Sequence, residues 1–258
     1  MKHAAVIGHP ISHSRSPALF ARFAAASGVE LDYTAVDVRP EQLEALLAEW
    51  RGDEAFVGCN VTLPHKGRAL SLADHVEAAA HACGAANVLT RAGHRLVAGN
   101  TDVEGVEAAL ATHGVALRGA QVLVLGCGGA ARAVAEAARR NGAARILIAG
   151  RDRARADAVA ADFGAEGCGW DDALPLADLY VNATPVGMSG QAQHSVLPGN
   201  APRNAAAFDL VYVPDRTPFL IDAQARGMRT VPGAAMFHAQ AVATFARWFG
   251  FAPKEATV

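Results

Sequence analysis

The chain has 258 residues, a formal net charge of −2 and a pI near 6.5, with 52% hydrophobic and 19% charged residues. That balance gives no basic field for neutralising phosphates, which argues against a dedicated nucleic-acid binder, and the apolar content excludes wholesale disorder. The length suits one large domain or two small ones, each able to bury a core. Alanine supplies 59 residues, and the 23 basic residues divide into 20 Arg and only 3 Lys: Lys2, Lys66 and Lys254. Cys59, Cys83, Cys127 and Cys168 lie far apart, form no C-x-x-C pair, and read as reduced, buried small residues. The N-terminus MKHAAVIGHP lacks the apolar core and cleavage site of a signal peptide, and no uncharged apolar run approaches the roughly 20 residues of a membrane span. A soluble, cytoplasmic chain is expected.

In chain order, short apolar strands alternate with alanine-rich helices, the pattern of an α/β protein. Strands are predicted near Ala4–Ile7, Tyr33–Val38 and Val57–Val61, and helices near Pro17–Ser27, Glu41–Trp50 and His65–Leu72. Ala86–Arg91 and His94–Ala98 pair as a hairpin across Ala92-Gly93. Gly99-Asn100 ends the hairpin, and a helix from about Val103 to His113 follows. The pattern restarts at Gln121 with the strand QVLVL, a glycine turn, an alanine-rich helix and the strand RILIA. Further strands fall at Leu179–Asn182, Ala207–Val211 and Thr230-Val231, the grammar of a doubly wound nucleotide-binding sheet. Gly190–Arg203 reads as a surface loop, and a last amphipathic helix spans roughly Ala234–Phe249 and can return to the first domain.

The turn after QVLVL reads Gly126-Cys127-Gly128-Gly129-Ala130-Ala131-Arg132, a G-x-G-x-x-A fingerprint. Gly126 permits the tight strand-to-helix turn, Gly128 lets backbone N–H groups approach a pyrophosphate, and Ala131 lets the helix pack closely on the sheet. The second strand ends in Ala149-Gly150-Arg151-Asp152-Arg153-Ala154-Arg155. Alternating arginines favour the 2′-phosphate of NADP, while the Asp152 carboxylate repels a phosphate or bonds the free ribose of NAD. Solvated charges at a helix start are the plain alternative.

Lys66 is the only internal lysine, at a strand-to-helix junction in Asn60-Val61-Thr62-Leu63-Pro64-His65-Lys66-Gly67. Arginine cannot lose its proton near neutral pH, whereas a partly desolvated lysine can, so this position suits proton transfer. On spacing alone the plainer reading is an exposed lysine at a helix start. Asp102, in Asn100-Thr101-Asp102, falls where the first domain hands over to the second, and reads either as a substrate-site carboxylate or as a helix N-cap. Ser12-His13-Ser14-Arg15-Ser16-Pro17 places hydroxyls directly before a helix, where they cap it or bind a carboxylate. His13 and His65 have no third ligand at a recognisable spacing, and no metal is expected.

Together these clusters resemble the shikimate dehydrogenase family over nearly the whole chain. The ordered motifs are S-x-S-P at Ser14–Pro17, N-V-T-x-P-x-K at Asn60–Lys66, G-A-x-N at Gly84–Asn87, and N-T-D at Asn100–Asp102. After the glycine turn come N-A-T-P-x-G-M at Asn182–Met188, Y-x-P-x-x-T-P-x-L at Tyr212–Leu220, and G-x-x-M-x-x-x-Q at Gly233–Gln240. The resemblance implies reversible NADP(H)-dependent reduction of 3-dehydroshikimate to shikimate, in the route to chorismate and the aromatic amino acids, by a monomer or homodimer. It implies an N-terminal α/β substrate domain, residues 1–101 completed by 234–258, and a Rossmann-type doubly wound dinucleotide-binding domain, residues 102–233. It also implies that Ser14 and Ser16 hold the substrate carboxylate, and that Thr62, Asn87, Asp102, Tyr212 and Gln240 contact the ring hydroxyls or the reacting oxygen. Lys66 and Asp102 form the catalytic pair, with the proton carrier at each step left open. Gly126, Gly128, Gly129, Ala130, Ala131, Arg151, Asp152, Arg155, Thr184, Gly233 and Met236 contact the cofactor.

Three motifs depart from the family pattern. Asp152 stands where the family's N-R-T-x-x-R box has threonine, which leaves NAD open beside NADP. The usual G-L-G-M reads Gly233-Ala234-Ala235-Met236, and the usual aromatic residue before the lysine is His65. Such departures also fit a paralogue acting on quinate, although two serines in the serine box favour shikimate. A non-catalytic dinucleotide sensor on the same scaffold is the third reading, and the intact Lys66 and Asp102 argue against it.

Overall fold

Every apolar run read as a strand above is a strand in the computed structural model, which describes residues 1–12, 14–170 and 172–254. The chain forms two units, one of Met1–Asp102 with the chain from Gln240 onward, the other of Val103–Ala239.

The first unit is built on one six-stranded sheet. Its strands are β1 (Lys2–Gly8), β2 (Leu31–Asp37), β3 (Phe56–Val61), β4 (His75–Val76), β5 (Val88–Ala92) and β6 (Arg95–Gly99), in the order β2-β1-β3-β5-β6-β4. β1 is parallel to both β2 and β3, whereas β5 and β6 form an antiparallel hairpin on β3. The hairpin pairs Ala92 with Arg95, so Gly93-His94 forms its two-residue loop, one residue later than expected, and Gly93 takes the positive φ of 62° that such loops require. Helices α1 (Ser16–Ser27), α2 (Leu43–Gly52), α3 (Lys66–Leu72) and α4 (Ala78–Cys83) complete this part of the chain. The helix expected over Glu41–Trp50 is split, because Pro40–Gln42 winds as a 3-10 turn before α2. Ile7, Leu43, Leu47, Phe56, Leu89 and Leu96 are fully buried in one core, while Phe20 of α1 stacks on Tyr33 of β2 with ring centroids 4.2 Å apart.

Helix α5 (Thr101–Thr112) leads into the second unit. There β7 (Gln121–Leu125), β8 (Arg145–Gly150), β9 (Glu166–Gly169), β10 (Leu179–Asn182), β11 (Ala206–Asp209) and β12 (Arg229–Val231) lie parallel in the order β12-β11-β10-β7-β8-β9. Helices α6 (Gly129–Arg140), α7 (Arg153–Ala161) and α8 (Pro218–Ala225) connect them, and α9 (Gly233–Phe249) follows β12. The order reverses between β7 and β10, where a doubly wound sheet opens its ligand crevice at the carboxyl ends of the strands. Fully buried Leu123, Leu125, Tyr180 and Ala207 form the centre of its core. Gly190–Arg203 is a loop as expected, but it is not wholly superficial, because Leu197 and Ala201 anchor it in that core. No helix among the described residues is long and apolar enough to cross a membrane.

Candidate active site

The register of the β5–β6 hairpin brings the site together. Val88 at the start of β5 pairs with Gly99 at the end of β6 and with Asn60 on β3. Asn87 and Asn100-Thr101-Asp102 therefore emerge side by side, next to the segment that leads from β3 into α3. Two backbone bonds tie the three junctions: Val61 N–H to the Asn87 carbonyl at 2.7 Å and Asn87 N–H to the Gly99 carbonyl at 3.2 Å. The Ala86 N–H donates to the Lys66 carbonyl at 2.9 Å, which fixes the start of α3 against the same turn.

On this frame Lys66 Nζ donates to Asp102 Oδ2 at 2.5 Å. The pair is largely buried, with 19% of the lysine side chain and 11% of the aspartate side chain exposed. Asn87 Nδ2 donates to the other Asp102 oxygen at 2.8 Å, and Asn87 Oδ1 accepts the Thr101 N–H at 2.7 Å. The capping role offered for Asp102 belongs to Asn100, whose Oδ1 accepts the Asp102 N–H at 3.1 Å. Asp102 thus keeps its carboxylate for Lys66 and Asn87.

A run of buried polar contacts leads from this pair back to the serine box. Thr101 Oγ1 contacts Thr244 Oγ1 on α9 at 3.1 Å, and Thr244 accepts from Asn60 Nδ2 at 3.2 Å. Asn60 Oδ1 in turn accepts from the Tyr33 hydroxyl at 2.8 Å, and the Ser16 side chain lies beside that hydroxyl. Burial holds the Tyr33 phenol well above its ordinary pKa, so its hydroxyl keeps the proton it donates. Gln240 is buried one helical turn before Thr244, on the same side of α9. Ser14 is half-buried, and its hydroxyl accepts the Ser16 N–H at 3.3 Å. The loop carrying both serines is pinned by His9 Nδ1 against Asp37 Oδ1 at 2.5 Å, and the His9 hydrogen bond is the main reason the Asp37 carboxyl sits below its usual value. His13 lies outside the described residues, as do the last four positions of the 234–258 segment. Thr62 is half-buried, with its N–H on the Ile7 carbonyl at 2.9 Å.

His65 has a structural role. Its buried imidazole places Nε2 2.6 Å from the Val38 carbonyl and so holds the start of α3 to the end of β2.

In the second unit the glycine turn has the expected form. Gly126 adopts φ +117°, and a Cβ there would stand 2.9 Å from the Ala183 carbonyl oxygen. Gly128 caps α6 without any side-chain bond, and a Cβ on it would meet nothing within 4 Å, so the backbone is open to an approaching group. Gly129 and Ala130 are half-buried in the first turn of α6, and Ala131 is fully buried against the sheet. Cys127 is half-buried against Gly150, not buried as expected, and no disulfide joins the four cysteines among the described residues. Asp152 is the N-cap of α7, accepting the Arg155 N–H at 3.1 Å. Arg153 pairs with Asp157 at 2.9 Å and Asp172 at 2.8 Å, whereas Arg151 and Arg155 are exposed and form no ion pair among the described residues. These features fit a dinucleotide carrying an extra phosphate. Thr184 donates its hydroxyl to Asn182 Oδ1 at 2.6 Å, Tyr212 stacks on Phe237 with centroids 4.6 Å apart, and Met236 is buried on α9. A Cβ on Gly233 would collide with the Val211 carbonyl, which explains glycine at the start of α9.

Comparison with known proteins decides the family. Residues 6–89 match the shikimate dehydrogenase substrate binding domain, and residues 107–198 match the shikimate / quinate 5-dehydrogenase family. The chain belongs to the shikimate dehydrogenase family. A shikimate dehydrogenase (NADP(+)) of Brucella melitensis is 41% identical over 98% of this chain and 90% of its own length. The shikimate 5-dehydrogenase of Thermus thermophilus, solved in complex with NADP(H) and shikimate, superimposes with a TM-score of 0.91 at 40% identity, covering 98% of this chain and 95% of that one. A 5-ketofructose reductase of Gluconobacter, in ligand-free form, is similar at 29% identity and TM-score 0.89, over 99% and 95% of the two chains.

Lys66, Asp102 and Asn87 meet directly, and Tyr33, beside Ser16, is linked to them through Asn60, Thr244 and Thr101. The sequence reading missed these four relay residues as a group. A β-strand tyrosine and a helix threonine carry no local signal, since their partners lie far away along the chain. Asn87→Ala would leave the buried Thr101 amide unpaired and take a donor from Asp102, at a cost of about 1–3 kcal/mol in stability. Urea unfolding of the variant against the wild type measures this, and a change below about 0.5 kcal/mol would contradict the role given to the amide.

Proposed function

We propose that the chain is a shikimate dehydrogenase, reversibly reducing 3-dehydroshikimate to shikimate with NADPH in the cytoplasmic route to the aromatic amino acids. The observation that carries this reading is the Lys66–Asp102 pair held by Asn87. Ser14 and Ser16 bind the substrate carboxylate, and Thr62, Asn87, Asp102, Tyr212 and Gln240 select the ring hydroxyls and the reacting oxygen. Residues 1–101 and 234–258 act as the substrate domain and residues 102–233 as the cofactor domain. The chain works as a monomer or homodimer on a small molecule, without nucleic acid or membrane.

When bound, NADPH supplies the hydride. The turn of Gly126, Gly128, Gly129, Ala130 and Ala131 would hold it, with Arg151 and Arg155 toward the 2′-phosphate and Thr184, Gly233 and Met236 toward the nicotinamide. As negative charge grows on the substrate oxygen, the Lys66 ammonium stabilises it electrostatically and donates a proton. Asp102 keeps Lys66 Nζ in place and accepts from a substrate hydroxyl. Asn87 holds the Asp102 carboxylate in one orientation, so little reorganisation is needed as the charge develops.

The direct test is steady-state kinetics with shikimate and quinate against NADP and NAD. The expected result is the highest kcat/KM for shikimate with NADP. No reduced cofactor from shikimate with either dinucleotide would overturn the reading, and a preference for quinate would move the chain to the quinate-acting branch of the family. Asp152 adds a second prediction. Asp152→Thr keeps an N-cap oxygen for the Arg155 amide while removing a negative charge beside Arg151 and Arg155. The kcat/KM ratio of NADP to NAD should rise about 3- to 10-fold, and an unchanged ratio would show that the Asp152 charge is not felt by the 2′-phosphate.

A further inference from the structure

Asp209, at the end of β11, is fully buried and lies outside the catalytic machinery described above. Its carboxylate accepts three hydrogen bonds from three places in the chain. Thr217 Oγ1 donates to Oδ2 at 2.5 Å, while Asn182 Nδ2 at 2.9 Å and the Val211 N–H at 3.0 Å donate to Oδ1. Each donor sits at the base of a segment that the proposed function places at the nicotinamide or the substrate.

Asn182 begins the Asn182–Met188 loop. Its Oδ1 accepts both the Thr184 N–H at 3.1 Å and the Thr184 hydroxyl at 2.6 Å, and its Nδ2 also reaches the Val186 carbonyl at 3.1 Å. Val211 precedes Tyr212, and the Val211 and Asp209 carbonyls are what a Cβ on Gly233 would strike, so α9 starts in contact with this turn. Thr217 is the N-cap of α8, and Gly187, at φ +91°, packs against its side chain. Two further bonds lace the same segments: Leu210 N–H to the Asn182 carbonyl at 3.0 Å and Ser189 N–H to the Val213 carbonyl at 3.0 Å.

We propose that Asp209 is a positioning residue for the cofactor, its ionised carboxylate holding the Thr184 loop, the Tyr212 turn and the Gly233 helix start in the arrangement that binds the nicotinamide half of NADPH. This rests on the assignment of Thr184, Gly233 and Met236 to that cofactor. The chemistry is a matter of donors and acceptors. Three N–H or O–H groups converge on two oxygens, and only the carboxylate can accept them all with both oxygens. A proton on Oδ1 would face two N–H donors, and a proton on Oδ2 would reverse the bond to the Thr217 hydroxyl, which would then accept instead of donate. Burial pushes the Asp209 carboxyl up to about 6, while the bonds from Thr217, Val211 and Asn182 pull it down. Of the charged groups nearby, Asp215 and Arg216 on the following turn are exposed, and Arg229 of β12 donates to the Gly114 carbonyl. The arrangement therefore loosens as pH falls through that value.

The test is NADPH binding to the purified full chain, followed by cofactor fluorescence from pH 5 to 8, with circular dichroism to establish folding. Asp209→Asn mimics the protonated acid and should raise the NADPH Kd about tenfold at pH 7.5, with the KM for shikimate within about twofold of wild type. Thr217→Val removes a single donor. It should weaken NADPH binding and move the midpoint of the pH dependence upward, and Thr217→Ser should restore both. Phosphate groups of the ligand titrate alike in every protein, so the displacement between variants is the reading. Asp209→Asn and Thr217→Val with NADPH affinities within twofold of wild type would overturn the proposal, as would an unmoved midpoint in Thr217→Val. If Asp209→Asn fails to fold, Thr217→Val and Thr217→Ser decide the matter alone. A wild-type chain that bound no NADPH would overturn the cofactor assignment and this proposal with it, whereas normal wild-type binding with unaltered variants overturns this proposal only.

Discussion

A largely buried lysine facing a buried carboxylate is costly to assemble, and the Lys66–Asp102 pair sets the terms for the first unit. Desolvating two charges is offset only when geometry is good and the remaining lone pairs are filled. Asn87 meets that condition by donating to the second Asp102 oxygen, and Thr101 gives Asn87 a fixed orientation in return. These residues can meet because a two-residue hairpin loop at Gly93-His94 fixes which residues of β5 and β6 stand opposite one another. A one-residue slip would turn Asn87 to the other face of the sheet. The geometry of the proposed catalytic pair is in this sense a consequence of strand register.

The second unit solves a related problem with backbone instead of charge. Gly126 and Gly128 leave room around the first turn of α6, where unpaired N–H groups favour a phosphate. Arginine is used selectively at the end of β8. Arg153 is taken up by Asp157 and Asp172, Asp152 caps α7, and Arg151 and Arg155 are left to project. The carboxylate that looked like an obstacle to a 2′-phosphate has a local structural task that threonine performs without the charge.

Much of this was legible in the chain. Continuous apolar runs such as QVLVL and RILIA became central parallel strands, as residues buried on both faces must. The glycine turn could be placed because a strand precedes it and a helix follows. Lys66 stood out through the scarcity of lysine, an argument about proton exchange that spacing could not supply. Other features had no local signature. β9 reads Glu-Gly-Cys-Gly, with neither alternation nor β-branched residues, and is held in place by pairing with β8. α4 has only six residues, too short for a helical period to show. Asn60, Thr244 and Thr101 act only as a set, and the Asn60–Thr244 bond spans 184 positions. Asp209 fell inside the strand expected over Ala207–Val211, and its importance lies in donors that arrive from Asn182 and Thr217.

The central claim is that Lys66 is present because the reaction exchanges a proton there, beyond any need for positive charge beside Asp102. Lys66→Arg separates the two, since arginine keeps the charge and can still pair with Asp102 but does not release its proton near neutral pH. Steady-state shikimate oxidation should show kcat reduced about 100-fold or more, with the KM for shikimate within several-fold of wild type. A Lys66→Arg enzyme with kcat close to wild type would contradict the account, because charge alone would then suffice.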